Sequence, residues 1–481
     1  MDLDHDACYR AVKLRDPRFD GRFFTAVRTT GIYCRPICPA RTPRSENVTF
    51  YPTAAAAQEA GFRPCLRCRP ETAPDMGAWR GTSNTVSRGL ALIELGALDQ
   101  GAVEELAERL GVGPRQLRRL FRQHLGASPI AVAQTRRILL AKQLIHESRL
   151  PMTEVAMAAG FGSIRRFNEI FLALFGRAPS NLRRLGGEAA ATAFDGSIKL
   201  LLRYQPPYDW EAMLDFHRHR AIPGIERVVD GAYCRTFQLD GVQGIVSVRP
   251  AAGNALCAAI RVSKLSTLPA IIARLRRMFD LAADPLAIAT HLAADPLLAP
   301  LIAKRPGLRA PGAWEGFELA IRAVLGQQIT VRGAIRLAAR LVAAYGRPIH
   351  LPDGELTHTF PEPRVLANAH LDTLGIPRSR AAALSAVAAA VAKDPDIFTV
   401  SNSLEETVQR LRSIAGVGEW TAQYIALRQL REPDAFPASD VGLRRALADV
   451  DGRRPAAAEL LARAEQWRPW RAYAAQHLWA S

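Results

Sequence analysis

A chain of 481 residues is too long for one hydrophobic core and predicts a modular protein of three or four domains. Hydrophobic content of 48% suffices for folded cores, yet no apolar run reaches the ~18 residues of a membrane span, so a soluble protein without a membrane partner is expected. The net charge of +17 points to a polyanionic partner and is uneven: residues 1–185 carry 28 Lys and Arg against 17 Asp and Glu, a surplus of 11 that leaves 6 for the rest.

The first residues, MDLDHDACYR, carry acids where an export signal would carry bases and an apolar run, so a cytoplasmic location is expected. Four of the seven cysteines then fall in two pairs, YCRPIC and CLRC. Cys34, Cys38, Cys65 and Cys68 have the spacing that lets four thiolates close a tetrahedron around one Zn2+. Between the pairs, NVTFYPT alternates like a strand and TAAAAQEAGF reads as a short helix ending at Gly61, a small fold that needs a staple. A structural zinc would account for the spacing alone. Arg28, Arg35, Arg41, Arg44, Arg63, Arg67 and Arg69 crowd the cluster, which would place its thiolates beside any DNA phosphate these side chains hold.

RDPRFDGRFFTAVRTTGIYCRPICPAR followed by GFRPCLRCRP resembles the N-terminal domain of the Ada methylation-response regulators. The resemblance implies that Cys34 irreversibly accepts a methyl group from a methylphosphotriester in DNA, with Cys38, Cys65 and Cys68 as its fellow metal ligands. Spacing does not choose among the four. Four thiolates on Zn2+ carry a net charge of −2, and converting one to a thioether leaves −1, so methylation would tighten DNA binding and report damage.

Beyond a polar break, GTSNTVSRG, the chain turns helical and repeats. Ala107, Gly111, Leu117, Phe121, Gly126 and Pro129 recur as Ala156, Gly160, Phe167, Phe171, Gly176 and Pro179. Each copy reads helix, glycine turn, helix, with the large apolar residues anchoring the second helix at i and i+4. Two such units joined by PIAVAQTRRILLAKQLI resemble the AraC-type DNA-binding domain. Arg115, Arg118, Arg119 and Arg122 on one second helix, and Ser163, Arg165, Arg166 and Asn168 on the other, are candidates for base or phosphate contact.

A small linker, RRLGGEAAATAF, precedes SIKLLLRY, CRTFQL, GIVSVRP and ALCAAIRV, which read as strands, with DWEAMLDFHRHR and TLPAIIARLRRMF as helices. This α+β segment presents no catalytic constellation, and its strands read as scaffold. The chain is helical from about Pro311. In LRSIAGVGEWTAQYIALR, Gly416 to Gly418 forms a tight hairpin that would leave backbone N–H groups at a helix N-terminus free to grip a phosphate. Asp440, within DAFPASDVGLRRAL, opens the next helix, where an N-cap alone would explain it.

Hairpin and aspartate together resemble the helix-hairpin-helix DNA glycosylases. The preceding α+β segment, WEGFE, AVLGQQI, GEWTAQY and WRPWRAY point to the 3-methyladenine glycosylase II (AlkA) type. The resemblance implies that Asp440 is the catalytic carboxylate, that Trp420, Tyr424 and Trp479 line an aromatic pocket for a flipped base, and that Gln328 holds the place of the residue wedged into the duplex. Gln is polar where the family pattern is apolar. Trp420 stands where bifunctional relatives carry a lysine, so base release without strand cleavage is expected. No cysteine follows Cys257, and no iron–sulfur cluster is expected. A Pro-Cys-His-Arg motif, which in Ada proteins marks a second methyl-acceptor domain, is absent from the chain, so direct repair of O-alkylated bases is not expected.

The reading is therefore a multidomain α+β protein. It comprises a zinc-stapled α/β domain over residues 1–72, an all-α double helix-turn-helix domain over 85–184, an α+β domain over 195–305 and a mostly α glycosylase domain over 306–481. The resemblances imply double-stranded DNA, both damaged and promoter, as partner, RNA polymerase as a second partner, a monomeric state and a place in the bacterial nucleoid. The rival reading is a transcriptional regulator whose C-terminal half only binds DNA.

Overall fold

Residues 3–74, 84–185, 196–350, 354–399, 403–448 and 452–481 are described by the structure, a computed structural model of the chain. The chain divides into two compact units, Met1–Gln205 with Ala251–Ala273 and Pro206–Pro250 with Arg274–Ser481. The first three residues of the polar break and the linker from residue 186 to 194 lie outside the described residues. The other linker residues, 183–185, end a helix.

The first unit opens with helix α1 (His5–Leu14), started by the Asp4 carboxylate, which accepts from the N–H groups of Asp6 and Ala7. Strands β1 (Phe24–Val27), β2 (Ile32–Cys34), β3 (Val48–Tyr51) and β4 (Arg63–Pro64) form a sheet in the order β3-β1-β2-β4. β2 and β4 pair in parallel, the rest antiparallel. β3 is the strand read in NVTFYPT. The alanine run is helix α2 (Ala54–Glu59), capped by Thr53 Oγ1. Few large side chains are buried here, chiefly Phe23, Phe24 and Tyr33, which is the shortage of core that a metal staple remedies.

Helices α3 (Asn84–Glu94), α4 (Val103–Arg109), α5 (Pro114–Leu125), α6 (Pro129–Glu147), α7 (Met152–Ala158), α8 (Ile164–Phe175) and α9 (Pro179–Leu185) follow. The repeat is structural: Leu117 and Phe121 on α5, and Phe167 and Phe171 on α8, are wholly buried. Gly111 and Gly160 turn each pair with φ of +69° and +87°. The zinc-ligand fold and the helices share one compact unit through specific bonds. Thr53 Oγ1 donates to the Leu125 carbonyl at 2.8 Å, and Glu59 accepts from Ser128 N–H and Oγ. Lys142, fully buried on α6, donates to Glu71 at 2.6 Å and to the Cys65 carbonyl at 2.9 Å.

The α+β segment supplies β5 (Ile198–Arg203), helix α10 (Trp210–Arg218), β6 (Glu226–Val229), β7 (Ala232–Leu239), β8 (Val242–Ala251) and β9 (Ala255–Val262). In the first unit β5 and β9 pair antiparallel, from Ile198 opposite Ile260 to Arg203 opposite Ala255. In the second, β6, β7 and β8 form an antiparallel meander.

The remaining helices are α11 (Leu268–Met278), α12 (Pro285–Leu292), α13 (Leu298–Lys304), α14 (Gly316–Leu325), α15 (Val331–Tyr345), α16 (Pro363–Ala367), α17 (Arg378–Lys393), α18 (Leu404–Arg412), α19 (Glu419–Arg428), α20 (Val441–Ala446), α21 (Ala457–Ala464) and α22 (Arg471–Trp479). α14 is the axis of the second unit: every residue but Arg322 is buried, and Ile321 and Leu325 share a core with Leu384 of α17 and Ile425 of α19. Among the described residues no helix is long and apolar enough to cross a membrane.

Candidate functional site

Two sites lie in the first unit. Cys34 ends β2, Cys38 follows in a turn, and Cys65 and Cys68 sit just past β4, which pairs with β2; the strand pairing thus brings the two knuckles together. The four Sγ atoms lie within 4.8 Å of one another, and thiolates tetrahedrally bound at ~2.3 Å fit that spread, so the donor set suits zinc. Backbone N–H groups of Arg35 and Arg67 point at Cys68 Sγ and Cys65 Sγ, each at 3.3 Å, as they do around thiolates. Cys65 and Cys68 are buried, while Cys34 and Cys38 are half-exposed, so solvent exposure leaves two candidates for a reacting sulfur where spacing left four.

The surrounding arginines divide by role. Arg35 is half-buried, pairs with Asp20 and donates to Thr72 Oγ1 at 2.6 Å, and Arg69 pairs with Glu71 and Glu147 at 3.1 Å each. These two hold the fold rather than face a ligand. Arg28, Arg41, Arg44 and Arg67 are exposed, and Arg63 is half-buried.

On the second helices of the repeat, Arg115, Arg118, Arg119 and Arg122 of α5 and Arg165, Arg166 and Asn168 of α8 are all exposed. Arg118 bonds Glu104 at 2.9 Å, Arg122 lies 3.4 Å from Glu59, and Arg165 bonds Glu169 at 2.8 Å. Such exposed pairs are weak and exchange readily for phosphate. Ser163 is the N-cap of α8, its Oγ accepting from Arg166 N–H, a structural use that the sequence reading did not assign it.

In the second unit a cavity of about 1390 Å³ is lined by Trp420 and Tyr424 of α19, Asp440, Trp479 of α22, the turn after α14 and one side of α10. Trp420 and Tyr424, one helical turn apart, stack at 5.2 Å and 11°, and Tyr424 meets Trp479 edge-on at 6.5 Å. Asp440 is the N-cap of α20 and more. Its Oδ1 accepts from Leu443 N–H at 3.0 Å and Trp479 Nε1 at 2.9 Å, and its Oδ2 from Trp420 Nε1 at 2.8 Å. Three donors thus fix a half-buried carboxylate among aromatic faces. Gly442 permits this, because a Cβ there would stand 3.0 Å from Asp440 Oδ1 and 3.1 Å from Trp479 Cδ1.

At the hairpin, Gly416 has φ +86°, and a Cβ on it would collide with Ala383 Cβ at 2.2 Å. Gly418, the N-cap of α19, has neither constraint: its φ is −85° and a Cβ would meet nothing within 4 Å. Gln328 is exposed on the turn after α14 with φ +58°, a strained value for a side chain of its kind. Its neighbour Gln327, which the sequence reading passed over, pins that turn to the hairpin by donating to the Gly416 carbonyl at 3.0 Å and Thr421 Oγ1 at 3.1 Å. Also unassigned from sequence were Phe216 on α10, which brings the α+β segment into the cavity wall, and Arg428 at the end of α19; a charge closing the apolar run YIAL was the available signal.

The chain matches the models for the metal binding domain of Ada over residues 7–71, a helix-turn-helix domain over 106–185, the AlkA N-terminal domain over 199–315 and the HhH-GPD superfamily base excision DNA repair protein over 321–472. It is 43% identical over its whole length, and over 97% of the other chain, to a Mycobacterium tuberculosis protein named "Probable bifunctional transcriptional activator/DNA repair enzyme AlkA". Over 58% of its length it is 35% identical to 95% of the "DNA-3-methyladenine glycosylase 2" of Escherichia coli. In fold, 58% of it superposes on 96% of a solved 3-methyladenine DNA glycosylase from Archaeoglobus fulgidus, with a TM-score of 0.51 at 23% identity.

Proposed function

The chain belongs to the family of bifunctional transcriptional activator/DNA repair enzymes of the AlkA kind, and on that premise we propose that its second unit hydrolyses the N-glycosidic bond of alkylated purines while its first unit senses methylphosphotriesters and activates transcription. The observation that carries the glycosylase reading is the Asp440 carboxylate, held by two indole N–H groups and a helix N-terminus on the wall of an aromatic cavity.

The roles follow from the chemistry. The open N–H groups at Gly418 hold a phosphate of the damaged strand, and the absence of any constraint inside the protein on that glycine agrees with close approach from outside. Gln328, on its strained turn, enters the space the base vacates. Trp420, Tyr424 and Trp479 receive the flipped base, and Asp440 faces the sugar as positive charge builds on it when the C1′–N bond breaks. Strand cleavage does not follow, since no amine occupies position 420.

The test is release of 3-methyladenine from alkylated duplex by the wild type and by Asp440→Asn. Asn keeps the N-cap, so the fold survives, and the lost charge should lower release by about 10²–10³-fold. A wild type that binds DNA but releases no base would leave the rival reading, a regulator whose second half only binds DNA.

In the first unit, Cys34 is the methyl acceptor. Its Sγ bonds to the methyl carbon, the carbon–oxygen bond breaks, and the electron pair stays on the phosphate oxygen. Zinc, when bound, supplies a deprotonated thiolate at neutral pH. The exposed Arg28, Arg41, Arg44 and Arg67 hold the neighbouring phosphates, and α5 and α8 read promoter DNA for RNA polymerase as a monomer.

A further inference from the structure

Among the guanidinium groups that line the aromatic cavity, Arg235 and Arg428 are buried and Arg322 is half-buried, and Arg428 lacks what the other two have. Arg235 and Arg322 share carboxylates, with Glu318 at 2.7 and 2.6 Å from them respectively, and Glu226 also paired to Arg322. Arg428 is 3% exposed and, among the described residues, no carboxylate stands at ion-pair distance from it. Its terminal nitrogens donate to the Pro311 carbonyl at 2.9 Å and to Gln476 Oε1 at 3.0 Å, and its Nε has no partner. Burial pushes its pKa down to about 10, so it remains a cation at neutral pH. Charge buried without a counter-ion is costly and invites a reason.

The position supplies one. The guanidinium lies over Trp479 at 4.9 Å, Tyr424 at 5.5 Å and Phe216 at 4.8 Å, rings of the cavity that would receive the base. Trp479 therefore meets the anion Asp440 through its N–H and the cation Arg428 through its ring face. We propose that Arg428 acts by its field on the departing base, as Asp440 acts on the sugar, favouring departure of cationic and neutral bases alike while opposing the binding of the cationic ones; this rests on the glycosylase reading above.

When the C1′–N bond breaks, its electron pair goes to the base nitrogen and C1′ takes hydroxide from water. A cationic base leaves neutral, the water proton going to solvent; a neutral base such as hypoxanthine leaves as an anion and takes that proton. In both cases the base gains one negative charge during the step, which a fixed positive charge favours. Before the step the two differ. The aromatic faces attract a cationic base and Arg428 repels it, whereas a neutral base is indifferent to the charge. Arg428 thus raises kcat for both classes and weakens binding of the cationic class alone.

The experiment compares kcat and KM on duplexes carrying one 7-methylguanine, which is cationic, or one hypoxanthine, for wild type, Arg428→Met and Arg428→Lys, each checked first for its melting temperature and binding to undamaged duplex. Removal of the charge should lower kcat on both substrates by about ten- to a hundredfold while KM falls for 7-methylguanine only, and Arg428→Lys should keep most of both properties. KM values that move together, or an unchanged kcat, would overturn the inference; a purely structural arginine predicts the former. Should Arg428→Met not fold, uncleavable 2′-fluoro duplexes decide with the wild type alone. Binding of 7-methylguanine no tighter than guanine is expected, and a tenfold or greater preference for the cation sinks the proposal. A wild type that releases neither base would instead count against the glycosylase reading itself.

Discussion

At Asp440 one carboxylate serves two purposes that compete for the same lone pairs, and Gly442 lets it do so. The side chain caps α20 through Oδ1 and takes an indole N–H on each oxygen, with Trp479 Cδ1 3.1 Å from where a Cβ on Gly442 would stand. A methyl group at position 442 would press on both Asp440 Oδ1 and Trp479. Gly442→Ala also replaces a glycine near the start of a helix, which by itself stabilises by roughly 0.5–1 kcal/mol. The two effects have opposite signs. Gly442→Ala is expected to leave the melting temperature unchanged or raised while lowering kcat for base release about tenfold or more, because sub-ångström misplacement of a reacting group is expensive. A loss of stability in proportion to the loss of activity would show that the glycine serves the fold. This position was not legible from sequence, where Gly442 is one small residue after a capping aspartate. Asp440, Trp420, Tyr424 and Trp479 were named together through the resemblance to the helix-hairpin-helix glycosylases, not through spacing. The bond from Trp479 to Asp440 depends on how α22 returns to α20, which no local pattern records.

Elements tell the same story with a different boundary between what is local and what is not. The helix repeat was readable because each copy closes its own core, with Phe121 and Phe171 buried in equivalent places. The zinc knuckles were readable because metal-ligand spacing is a property of sequence. What could not be read is that α6, the helix joining the two repeats, reaches into the zinc-ligand fold. Lys142 reads in sequence as a lone charge near the end of a largely apolar helix, yet it is fully buried, ion-paired to an equally buried Glu71 and bonded to the carbonyl of Cys65. Breaking a buried pair from one side costs about 3–5 kcal/mol where it leaves a bare charge, and here Arg69, 3.1 Å from Glu71, offsets part of that cost. Lys142→Met should therefore lower the denaturant midpoint of the first unit sharply and speed loss of zinc to a chelator. Lys142→Met combined with Glu71→Gln should recover much of that loss, because no uncompensated charge remains. If the double variant is as unstable as the single one, the Lys142 bond to the Cys65 carbonyl, not the ion pair, holds α6 against the knuckle.

For the whole molecule, the division of chemistry between the two units makes a sharp expectation about metal removal. The four-cysteine cluster and the helix repeat belong to the first unit, and the residues of the aromatic cavity belong without exception to the second. The zinc-ligand fold has little core of its own, so the free energy of metal binding, about 10–16 kcal/mol in small zinc folds, is in large part its folding energy. Chelation, or Cys65→Ser, should then abolish methyl acceptance and the tightening of promoter binding that follows it. The first unit does contain β5 and β9 of the α+β segment, and Leu201 of β5 is bonded through both backbone groups to α6, its N–H to Glu147 at 3.0 Å and its carbonyl to Gln143 at 3.0 Å. Glu147 in turn takes Arg69 from the second knuckle, so a path of polar contacts runs from the metal ligands to that strand. Those bonds rest on α6, whose own core with the flanking helices does not require the metal. Base release by the zinc-free protein, measured at saturating enzyme so that lost DNA affinity does not enter, should therefore stay within about twofold of the wild type, as independent sites do. A collapse of base release on chelation would mean that the strain passes from the knuckle through Glu147 and β5, and that repair in this chain depends on an intact sensor.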